Sequence, residues 1–599
     1  MLYGNHKDNR PEYTVRKIRE IISGLDIFLY EESWSNFGSR NYSVRLEDAA
    51  MPMVGCNGKG VSLQFALASA YGEFIERLQN GFLYSRHFGL MPHTFRFPDE
   101  MEMGGADYNE KFPGIIEPLI GLEGLEKLIH NGEGVSCVPF YQVYNARSVY
   151  LPIDILFSSC GSNGMCAGNT PEEAITQGIC EILERNAIKS VYLEKKPIPY
   201  IPLSSLAHLE SYRLIEDIIE NGYHIIVKDL TFGGKLPVLG VILFNRERTR
   251  YRACFASDVL LETTVQRCLT EVMQGKSRYN FEDSMPLLNF HKDDFPPTDY
   301  STSGKQERYE LNRFLFNGRG QLPTIMLNNT IESETFKSAF LDSVSDNRDA
   351  LQFIVDKVRE MNWALYVRDV SYLGFPAFYT YIPGVSNVRN IMPIPGGQVY
   401  YKKWIFQNLS GLLRLKSLTE EQLKNLAYYL ENLFDNPDLL NLKSSSTGPL
   451  SGILTVPDNE FYNLSFKIVL MLIFYKLKNW GKALSYLNEY LAENPDVENI
   501  PYFKGVQYYL KQTSLGNNSQ IISHSLSQLL GSDLSEEICS DLSNPDEAFK
   551  HYDTPDCGDC SKCSLKNDCR YPEWKTLMER LQAKALQCFP DQTELQSLF

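Results

Sequence analysis

The sequence predicts an α+β fold, in which a mixed core of helices and strands precedes an all-α domain and a short cysteine-rich tail. Short β-rich runs, such as HIIVKDL (residues 224–230) and LPVLGVILF (residues 236–244), lie between helical stretches up to about residue 400. These runs fade after residue 403, where apolar residues keep a helical spacing. Four cysteines then fall close together near the C-terminus. We therefore predict domains at residues 1–402, 403–545 and 546–599.

The helical domain contains a stretch that resembles half of a tetratricopeptide repeat. NWGKALSYLNEYLAENP (residues 479–495) starts near a tryptophan, has apolar residues at helical spacing and ends at a proline. One match does not make an array. We therefore expect a helical, tetratricopeptide-like domain that binds a partner.

The composition of the chain excludes several classes of protein. Its 599 residues are too many for one core, and its net charge of −16 argues against a general nucleic-acid or membrane-surface binder. No stretch of about 18 apolar residues is free of charge, so we expect no membrane span. The N-terminus lacks the apolar core of a secretion signal, and thirteen cysteines in such a chain indicate reduced thiols. We expect a cytoplasmic protein.

Two stretches of the chain repeat one pattern. GCNGKG (residues 55–60) leads to GEFIER (residues 72–77), and GSNGMC (residues 161–166) leads to CEILER (residues 180–185). Because residues three or four apart share a helix face, each copy presents a pair of glutamates. In the second copy, Glu173 and Gln177 extend this face towards a helix start that Thr170 and Pro171 indicate.

The residues between these glutamates predict that both helices are buried. A lone E-x-x-E-R string would indicate only a solvated face, but small residues such as Ala70, Gly72 and Gly178 allow close packing. Buried unpaired carboxylates cost several kcal/mol each, so cations must compensate them. Mg²⁺ prefers oxygen ligands and takes carboxylates together with waters and substrate phosphates. Two such helices are therefore predicted to hold two or more Mg²⁺ ions.

The flanking residues predict an anion site beside the carboxylates. The glycines permit close backbone approach near a helix start, and Lys59, Arg77 and Arg185 are placed to pair with phosphate or carboxylate. A third stretch, QRCLTEVMQG (residues 266–275), puts Glu271 and Gln274 on one helix face. The nine histidines show no Ser-His-Asp or metal-binding arrangement, so no catalytic residue is assigned.

These three stretches resemble the motifs of the YcaO family, and the resemblance covers roughly residues 10–400. It implies an ATP-binding fold without a P-loop, in which Mg²⁺ ions on glutamates bridge the triphosphate. It also implies an enzyme that activates a backbone amide of a peptide or protein by phosphorylating its oxygen. A nucleophile then attacks the same carbon, which gives azolines, amidines or thioamides.

The resemblance also implies roles for individual residues. Mg²⁺ ligands are implied at Glu73, Glu76, Glu173, Glu181 and Glu184. ATP-binding residues are implied at Lys59, Ser69, Arg77, Ser162, Asn163, Gln177, Arg185, Glu271 and Gln274. Lys276 stands where many members have arginine, and a lysine keeps the charge but loses the bidentate geometry.

The architecture resembles stand-alone members of the family rather than azoline-forming ones. The chain ends DQTELQSLF, whereas azoline-forming members end in a proline-rich tail. Stand-alone members are associated, as accessory factors of a radical methylthiotransferase, with β-methylthiolation of a small-subunit ribosomal protein. Two alternatives stay open: a thioamide- or azoline-forming synthetase of a ribosomally made peptide, with a TfuA-type partner, and a non-catalytic nucleotide-binding scaffold. Family members are often homodimers.

The cysteine-rich tail predicts a second metal site. Cys557, Cys560, Cys563 and Cys569 have the spacing C-x2-C-x2-C-x5-C, which is a good metal signal in a chain of reduced thiols. The C-x2-C-x5-C part resembles the spacing of several [4Fe–4S] sites, while Cys₄ zinc sites also use C-x2-C pairs. We predict either a [4Fe–4S] cluster or Zn²⁺ here. The tail lies outside the YcaO resemblance.

Overall fold

The computed structural model describes residues 6–36, 40–51, 54–84, 95–273, 282, 285, 287–288, 310–311, 314–315, 321–389, 401–433, 465–494, 499–549, 554–557, 560–567 and 569–599. Contacts among these residues divide the chain into two units. Of the described residues, the first unit holds those up to 402 together with 573–599, and the second holds those from 403 to 572. The contacts thus group the last residues with the first unit, while the three-domain division stays a prediction.

The first unit combines helices with three antiparallel sheets, which confirms the predicted α+β class. Up to residue 360, its helices with described bounds are α1 (Pro11–Ser23), α2 (Leu63–Gln79), α3 (Gly105–Lys111), α4 (Glu117–His130), α5 (Ile153–Cys160), α6 (Pro171–Glu194), α7 (Tyr212–Glu220), α8 (Leu261–Met273) and α9 (Asn347–Glu360). Its described strands are β1 (Leu29–Asn36), β2 (Tyr42–Asp48), β3 (Gly55–Gly60), β4 (Met101–Gly104), β5 (Gly134–Gln142), β6 (Arg147–Pro152), β7 (Met165–Ala167), β8 (Tyr200–Ile201), β9 (His224–Asp229), β10 (Val238–Phe244), β11 (Tyr251–Ser257), β12 (Tyr366–Asp369) and β13 (Ala377–Tyr381).

The strands form three sheets whose described pairings are all antiparallel. The first has the order β1-β2-β3, the second β11-β10-β9-β8, and the third β4-β5-β12-β13-β7 with β6 paired to β5. Each copy of the repeated pattern forms a strand followed by a helix: β3 leads into α2, and β7 leads into α6. Helix α2 contacts β3, β7 and β13, and helix α6 contacts β7 and β13. The edge of the third sheet therefore carries both helices.

Close backbone contacts hold α2 against β3 and the turn before β7 against β13. Helix α2 starts at Ser62, whose hydroxyl accepts a hydrogen bond from the backbone N–H of Phe65 at 3.3 Å. A Cβ at Gly58 would lie 2.0 Å from the carbonyl oxygen of Ala66, so the strand touches the helix backbone itself. At Gly164, φ is +91° and a Cβ would lie 2.2 Å from the carbonyl oxygen of Thr380, so only glycine suits this turn before β7.

Helix α6 lies in the main hydrophobic core of the first unit. Its residues Ile175, Ile179 and Leu183 are fully buried and share one cluster with side chains of β10, β11, β12, β13 and α9. Thr170 caps the helix by accepting a hydrogen bond from the N–H of Glu173 at 3.3 Å, and Pro171 is its first residue, as predicted. The core thus fixes the helix that carries the longer carboxylate stripe.

The last residues of the chain pack against the third sheet. The Gln592 side chain exchanges two hydrogen bonds with the backbone of Asp369, at 2.8 and 2.9 Å. The ring of Phe599 stacks on Tyr141 at a centroid distance of 6.1 Å, and Leu595 is part of the same core cluster as α6. These contacts explain why residues 573–599 group with the first unit rather than with the cysteines.

The second unit is helical in its described residues, as the sequence predicted. Its helices are α10 (Lys402–Leu409), α11 (Glu420–Leu433), α12 (Phe466–Lys476), α13 (Trp480–Glu493), α14 (Ile500–Ser514), α15 (Ser519–Leu530) and α16 (Ser532–Asp541), and α17 (Tyr571–Cys588) leads back to the first unit. Successive helices from α12 to α16 pack on one another, and Trp480 packs on Tyr475 at 5.2 Å. The tetratricopeptide-like assignment stays a prediction. Within the described part of the chain, no helix is long and apolar enough to cross a membrane.

Two glycine substitutions test the packing of α2 on β3. Gly58→Ala is expected to destabilise the protein by about 1–3 kcal/mol, because the new methyl group overlaps the helix backbone. The matched control is Gly72→Ala within α2, where a Cβ meets nothing within 4 Å and helix propensity favours alanine by up to about 1 kcal/mol. Chemical denaturation of both variants checks this. Equal stability of the two variants would contradict the close strand–helix contact.

Candidate functional site

A cavity of about 350 Å³ in the first unit collects most of the predicted site residues. Helices α2, α6 and α8, strand β3 and the N-terminal residues contribute to its lining. The predicted residues that line it are Lys59, Ser69, Glu73, Glu76, Arg77, Ser162, Glu173, Gln177, Glu181, Glu184, Arg185 and Glu271. The two copies of the repeated pattern therefore face the same cavity.

Carboxylates from α2 and α6 repel one another in this cavity, and two arginines offset part of the repulsion. Arg77 Nη2 lies 2.6 Å from Glu73 Oε1, and Arg185 Nη2 lies 3.8 Å from Glu181 Oε1, each one helical turn from its partner. Burial, followed by the negative charge of Glu181, raises the pKa of Glu76 well above its ordinary value. Burial also raises the pKa of Glu181, against the opposing charge of Arg185. The site would gain from additional positive charge.

The cationic side of the cavity comes from β3 and α8. GCNGKG forms strand β3, not a phosphate loop, and places the ammonium of Lys59 in an ion pair with Glu271 of α8. Burial, followed by the charge of Arg267, lowers the pKa of Lys59 to about 8. Burial opposes ionisation of Arg267, but the charges of Asp258 and Glu184 raise its pKa. Lys59 and Arg267 thus bring two cations to one wall.

The N-terminal residues supply a lysine that the sequence analysis missed. Lys7 Nζ lies 3.1 Å from Glu173 Oε1 and 3.3 Å from Gln177 Oε1, and the N–H of Asp8 donates to Glu173 Oε2 at 2.9 Å. Asn169 donates to the same carboxylate. Burial opposes ionisation, but the charge of Lys7 and these hydrogen bonds hold the pKa of Glu173 below its ordinary value. Glu173 therefore has protein partners on both oxygens.

A buried cluster beside Lys7 anchors this N-terminal segment. His6 Nε2 lies 3.0 Å from Asp258 Oδ1, and His6 Nδ1 lies 2.8 Å from Asn347 Oδ1. The Asn347 side chain donates back to the His6 carbonyl and to Asp8 Oδ2, both at 2.8 Å. Asp258 and Arg267 also line the cavity. Arg267 stands in the third predicted stretch, but no local pattern marks Lys7, His6 or Asp258.

Two predicted residues are not among those that line the cavity. Asn163 is buried, and its side-chain amide donates to the carbonyl oxygen of Ser386 at 2.7 Å. Its Oδ1 is buried with no hydrogen-bond partner among the described residues. Gln274 lies outside the described residues, as does Lys276. In this structure Asn163 ties the turn before β7 to the segment that follows β13.

The donor set fits Mg²⁺ bound together with a phosphate ligand. Among the described residues, no three His, Cys, Asp or Glu side chains are placed to hold a metal ion by themselves. Mg²⁺ usually takes one or two carboxylates plus waters and substrate phosphates, so an all-protein cage is not required. Burial, together with the like charges of neighbouring glutamates, raises the pKa values of Glu76 and Glu181 despite the two arginines. Cations are the ligands that would relieve this repulsion.

The four tail cysteines belong to the second unit, whereas the glutamates of the cavity belong to the first. Cys557, Cys563 and Cys569 are partly buried, and Cys560 is exposed. All thirteen cysteines of the chain lie within the described residues and carry thiols. Cys166 and Cys180, inside the second copy of the pattern, are buried in the core, where burial raises their thiol pKa values.

A family model described as YcaO cyclodehydratase, ATP- and Mg²⁺-binding, matches residues 57–386, which is more than half of the chain. The chain belongs to the YcaO family. The match contains α2, α6 and α8 together with most of β3, so it includes every described helix that lines the cavity with glutamates. The family prediction made from the three stretches is confirmed.

Two curated relatives match the chain over more residues than the family model does. The Escherichia coli K12 protein named Ribosomal protein S12 methylthiotransferase accessory factor YcaO is 26% identical over 401 residues, which cover 64% of this chain and 66% of that protein. An uncharacterised Haemophilus influenzae protein is 26% identical over 400 residues, with the same coverage. The chain thus spans just under two thirds of the length of these relatives. A solved heterocyclase in complex with substrate and cofactor has a TM-score of 0.46 and 18% identity, covering 64% of this chain and 53% of that one.

The repulsion at Glu76 predicts that removing the charge of this side chain stabilises the protein. After treatment with EDTA, Glu76→Gln is expected to raise the melting temperature by about 2 °C or more at about pH 8, because an amide replaces a buried carboxylate among like charges. The raised pKa means that ionised Glu76 costs stability only as pH rises above its ordinary range. The gain should therefore shrink towards about pH 5, where the wild-type carboxyl takes up its proton.

The matched control for this measurement is Glu194→Gln at the exposed end of α6. Its carboxylate lies in solvent beside Lys196, so it should change the melting temperature little at either pH. Differential scanning calorimetry at both pH values checks the comparison. Destabilisation by Glu76→Gln at about pH 8 would show that the ionised carboxylate is well compensated within the protein.

Proposed function

We propose that this protein binds ATP with Mg²⁺ in the cavity between α2, α6 and α8 and uses it to activate a backbone amide of a peptide or protein by phosphorylation. The observation that carries this proposal is the meeting of five glutamates from α2 and α6 with three arginines and Lys59 in one cavity. The family to which the chain belongs is described as ATP- and Mg²⁺-binding. Both point to a nucleotide whose phosphates would bind the basic residues directly and the carboxylates through Mg²⁺.

The carboxylates divide into those available to metal and one that is already held. Glu73, Glu76, Glu181 and Glu184 would hold the Mg²⁺ ions, which when bound supply positive charge to the phosphate oxygens. Glu173 accepts hydrogen bonds from Lys7, Asp8 and Asn169. Under this proposal Glu173 joins the metal shell only if Lys7 moves, and otherwise it positions the N-terminal segment.

The basic residues would bind and orient the triphosphate. Lys59, Arg185 and Arg267 line the cavity, and each reaches it from a different element, namely β3, α6 and α8. Their charge-assisted hydrogen bonds would fix the phosphates from several directions. Gly60, Gly72 and Ala68 also line the cavity and leave room for the nucleotide against the helix backbone.

The chemical step that the family implies transfers the γ-phosphate of ATP to the amide oxygen. A nucleophile would add to the amide carbon, and the amide oxygen would bond to the γ-phosphorus while the bond from that phosphorus to ADP breaks. The oxygen would then leave with inorganic phosphate. The residues of this chain would neutralise and align the phosphates during this transfer. No side chain of the cavity is assigned as the base.

A role as an accessory factor of a methylthiotransferase is a second candidate. The observation that favours it is the alignment of 401 residues with the E. coli accessory factor, which is longer than the family match at residues 57–386. In this role the same ATP site would serve the β-methylthiolation of a small-subunit ribosomal protein, together with a radical methylthiotransferase. Both candidates require Mg·ATP binding, so the site is tested first.

Glu184→Gln is expected to weaken binding of Mg·ATP by more than about 100-fold. Loss of residues that only orient metal ligands costs about 10- to 100-fold, and here a proposed ligand itself is removed. Calorimetric titration with a non-hydrolysable ATP analogue, with and without Mg²⁺, measures the affinity. Glu194→Gln on the exposed end of the same helix is the control and should bind like the wild type.

Wild-type affinity in Glu184→Gln, or binding that ignores Mg²⁺, would overturn the metal assignment. Binding without any phosphate release from ATP, in the presence of candidate peptides and of the methylthiotransferase, would instead favour a nucleotide-binding scaffold. Phosphate release is measured on the same preparations. The affinity measurement therefore tests the binding site, and the phosphate measurement tests the reaction independently of it.

Complementation tests the accessory role. In E. coli cells that lack their own accessory factor, this chain is expected to restore β-methylthiolation of ribosomal protein S12, and Glu184→Gln is expected not to do so. Mass spectrometry of the ribosomal protein measures the modification. If the wild type fails although Glu194→Gln and the wild type both bind Mg·ATP, the accessory role is wrong for this chain, and amide activation of another substrate stands.

A further inference from the structure

The segment that carries the four tail cysteines buries few of its described side chains. Between Thr554 and Cys569 the described residues form turns, with no helix or strand before α17 begins at Tyr571. Among them, only Thr554, Pro555 and Leu565 are buried. A segment with so few buried apolar side chains would gain stability from a covalent or metal cross-link.

Backbone hydrogen bonds fold the cysteine segment back on itself. The N–H of Lys566 donates to the carbonyl oxygen of Cys563 at 3.3 Å, and the N–H of Cys569 donates to that of Leu565 at 2.9 Å. The N–H of Asp556 donates to Cys563 Sγ at 3.5 Å, which is the kind of backbone contact that supports sulfur ligands of metals.

The segment is tied to the helical unit at its first cysteine. The N–H of Cys557 donates to the carbonyl oxygen of Leu413 at 3.0 Å. Leu413 lies in the 3-10 helix Ser410–Ser417 and is itself buried. A cross-link through the cysteines would thus fasten the chain beyond residue 554 to the start of the second unit. The nucleotide cavity uses none of these residues.

We propose that Cys557, Cys560, Cys563 and Cys569 bind a thiophilic metal centre, as a four-thiolate Zn²⁺ site or a [4Fe–4S] cluster. Both centres use the same donor set of four thiolates. Within the described residues, no three of these side chains are placed to hold a metal ion. Binding would therefore draw the sulfurs together, and each coordinating thiol would release its proton to solvent. The centre is structural for the second unit and independent of the ATP site.

Metal analysis of the full-length protein tests the proposal. The chain is purified without oxygen from cells grown with iron and zinc, washed with excess Mg²⁺, and analysed for both metals and for acid-labile sulfide. About one zinc per chain without sulfide, or about four irons with about four sulfides, is expected. These two results support the proposal and distinguish the two centres. Less than about a tenth of one metal per chain overturns it.

A pair of exposed cysteines gives a matched control. Cys560→Ser removes a proposed ligand without disturbing the core, and Cys588→Ser removes an exposed thiol of α17 outside the cluster. The metal should be lost, or fall at least about tenfold in content, in the first variant and be retained in the second. Retention in Cys560→Ser would place the metal elsewhere and overturn the assignment.

Thiol labelling keeps the test valid where Cys560→Ser fails to fold. The wild-type protein is alkylated before and after metal removal by a chelator, and mass spectrometry locates the modified cysteines. Cys557, Cys560, Cys563 and Cys569 should be protected together and become reactive together, while Cys588 should react in both states. Independent reactivity of the four thiols, or disulfides between them in the anaerobic protein, would overturn the proposal.

Discussion

Repulsion between buried carboxylates is the constraint around which the first unit is built. Helices α2 and α6 each bring a pair of glutamates into one cavity, and the raised pKa values of Glu76 and Glu181 show that burial and like charge disfavour their ionised forms. Each helix offsets part of this repulsion with an arginine one turn later, since Arg77 pairs with Glu73 and Arg185 with Glu181. The repeated E-x-x-E-R sequence thus gives both helices the same carboxylates and the same compensating arginine in one cavity.

The scaffold around the cavity offsets this cost through apolar packing. Helix α6 buries its isoleucines and Leu183 in a core that it shares with strands of two sheets. Close contacts at Gly58 and Gly164 fix β3 and the turn before β7 against neighbouring backbone. Burial of apolar area contributes roughly 25 cal/mol per Å², so a core of this extent can hold several unfavourable charges in place. The site is strained electrostatically, whereas the helices that carry it are firmly packed.

Local patterns in the sequence predicted the helices, the cap at Thr170 and the shared cavity of the glutamates, because each depends on residues close in the chain or on a pattern written twice. Contacts between distant residues were not predictable in this way. Lys7 contacts Glu173 across 166 positions of sequence, and the last residues pack on Tyr141 and Asp369. No periodicity in the sequence indicates either contact. At Asn163, the motif implied a nucleotide contact, but the folded chain uses its amide to hold Ser386. A motif identifies the residue type, while tertiary packing decides its partner.

The ion pairs within the cavity indicate how Mg·ATP would bind under the proposed function. Lys59 pairs with Glu271, Lys7 with Glu173, and Arg77 with Glu73, so these cations already have carboxylate partners. Binding would exchange partners: the carboxylates would turn to Mg²⁺, and the freed lysines and arginines to phosphate. A nucleotide without metal would meet uncompensated carboxylates, and a metal without nucleotide would compete with the basic side chains. The charge arrangement therefore couples metal and nucleotide, so that each is bound well only in the presence of the other.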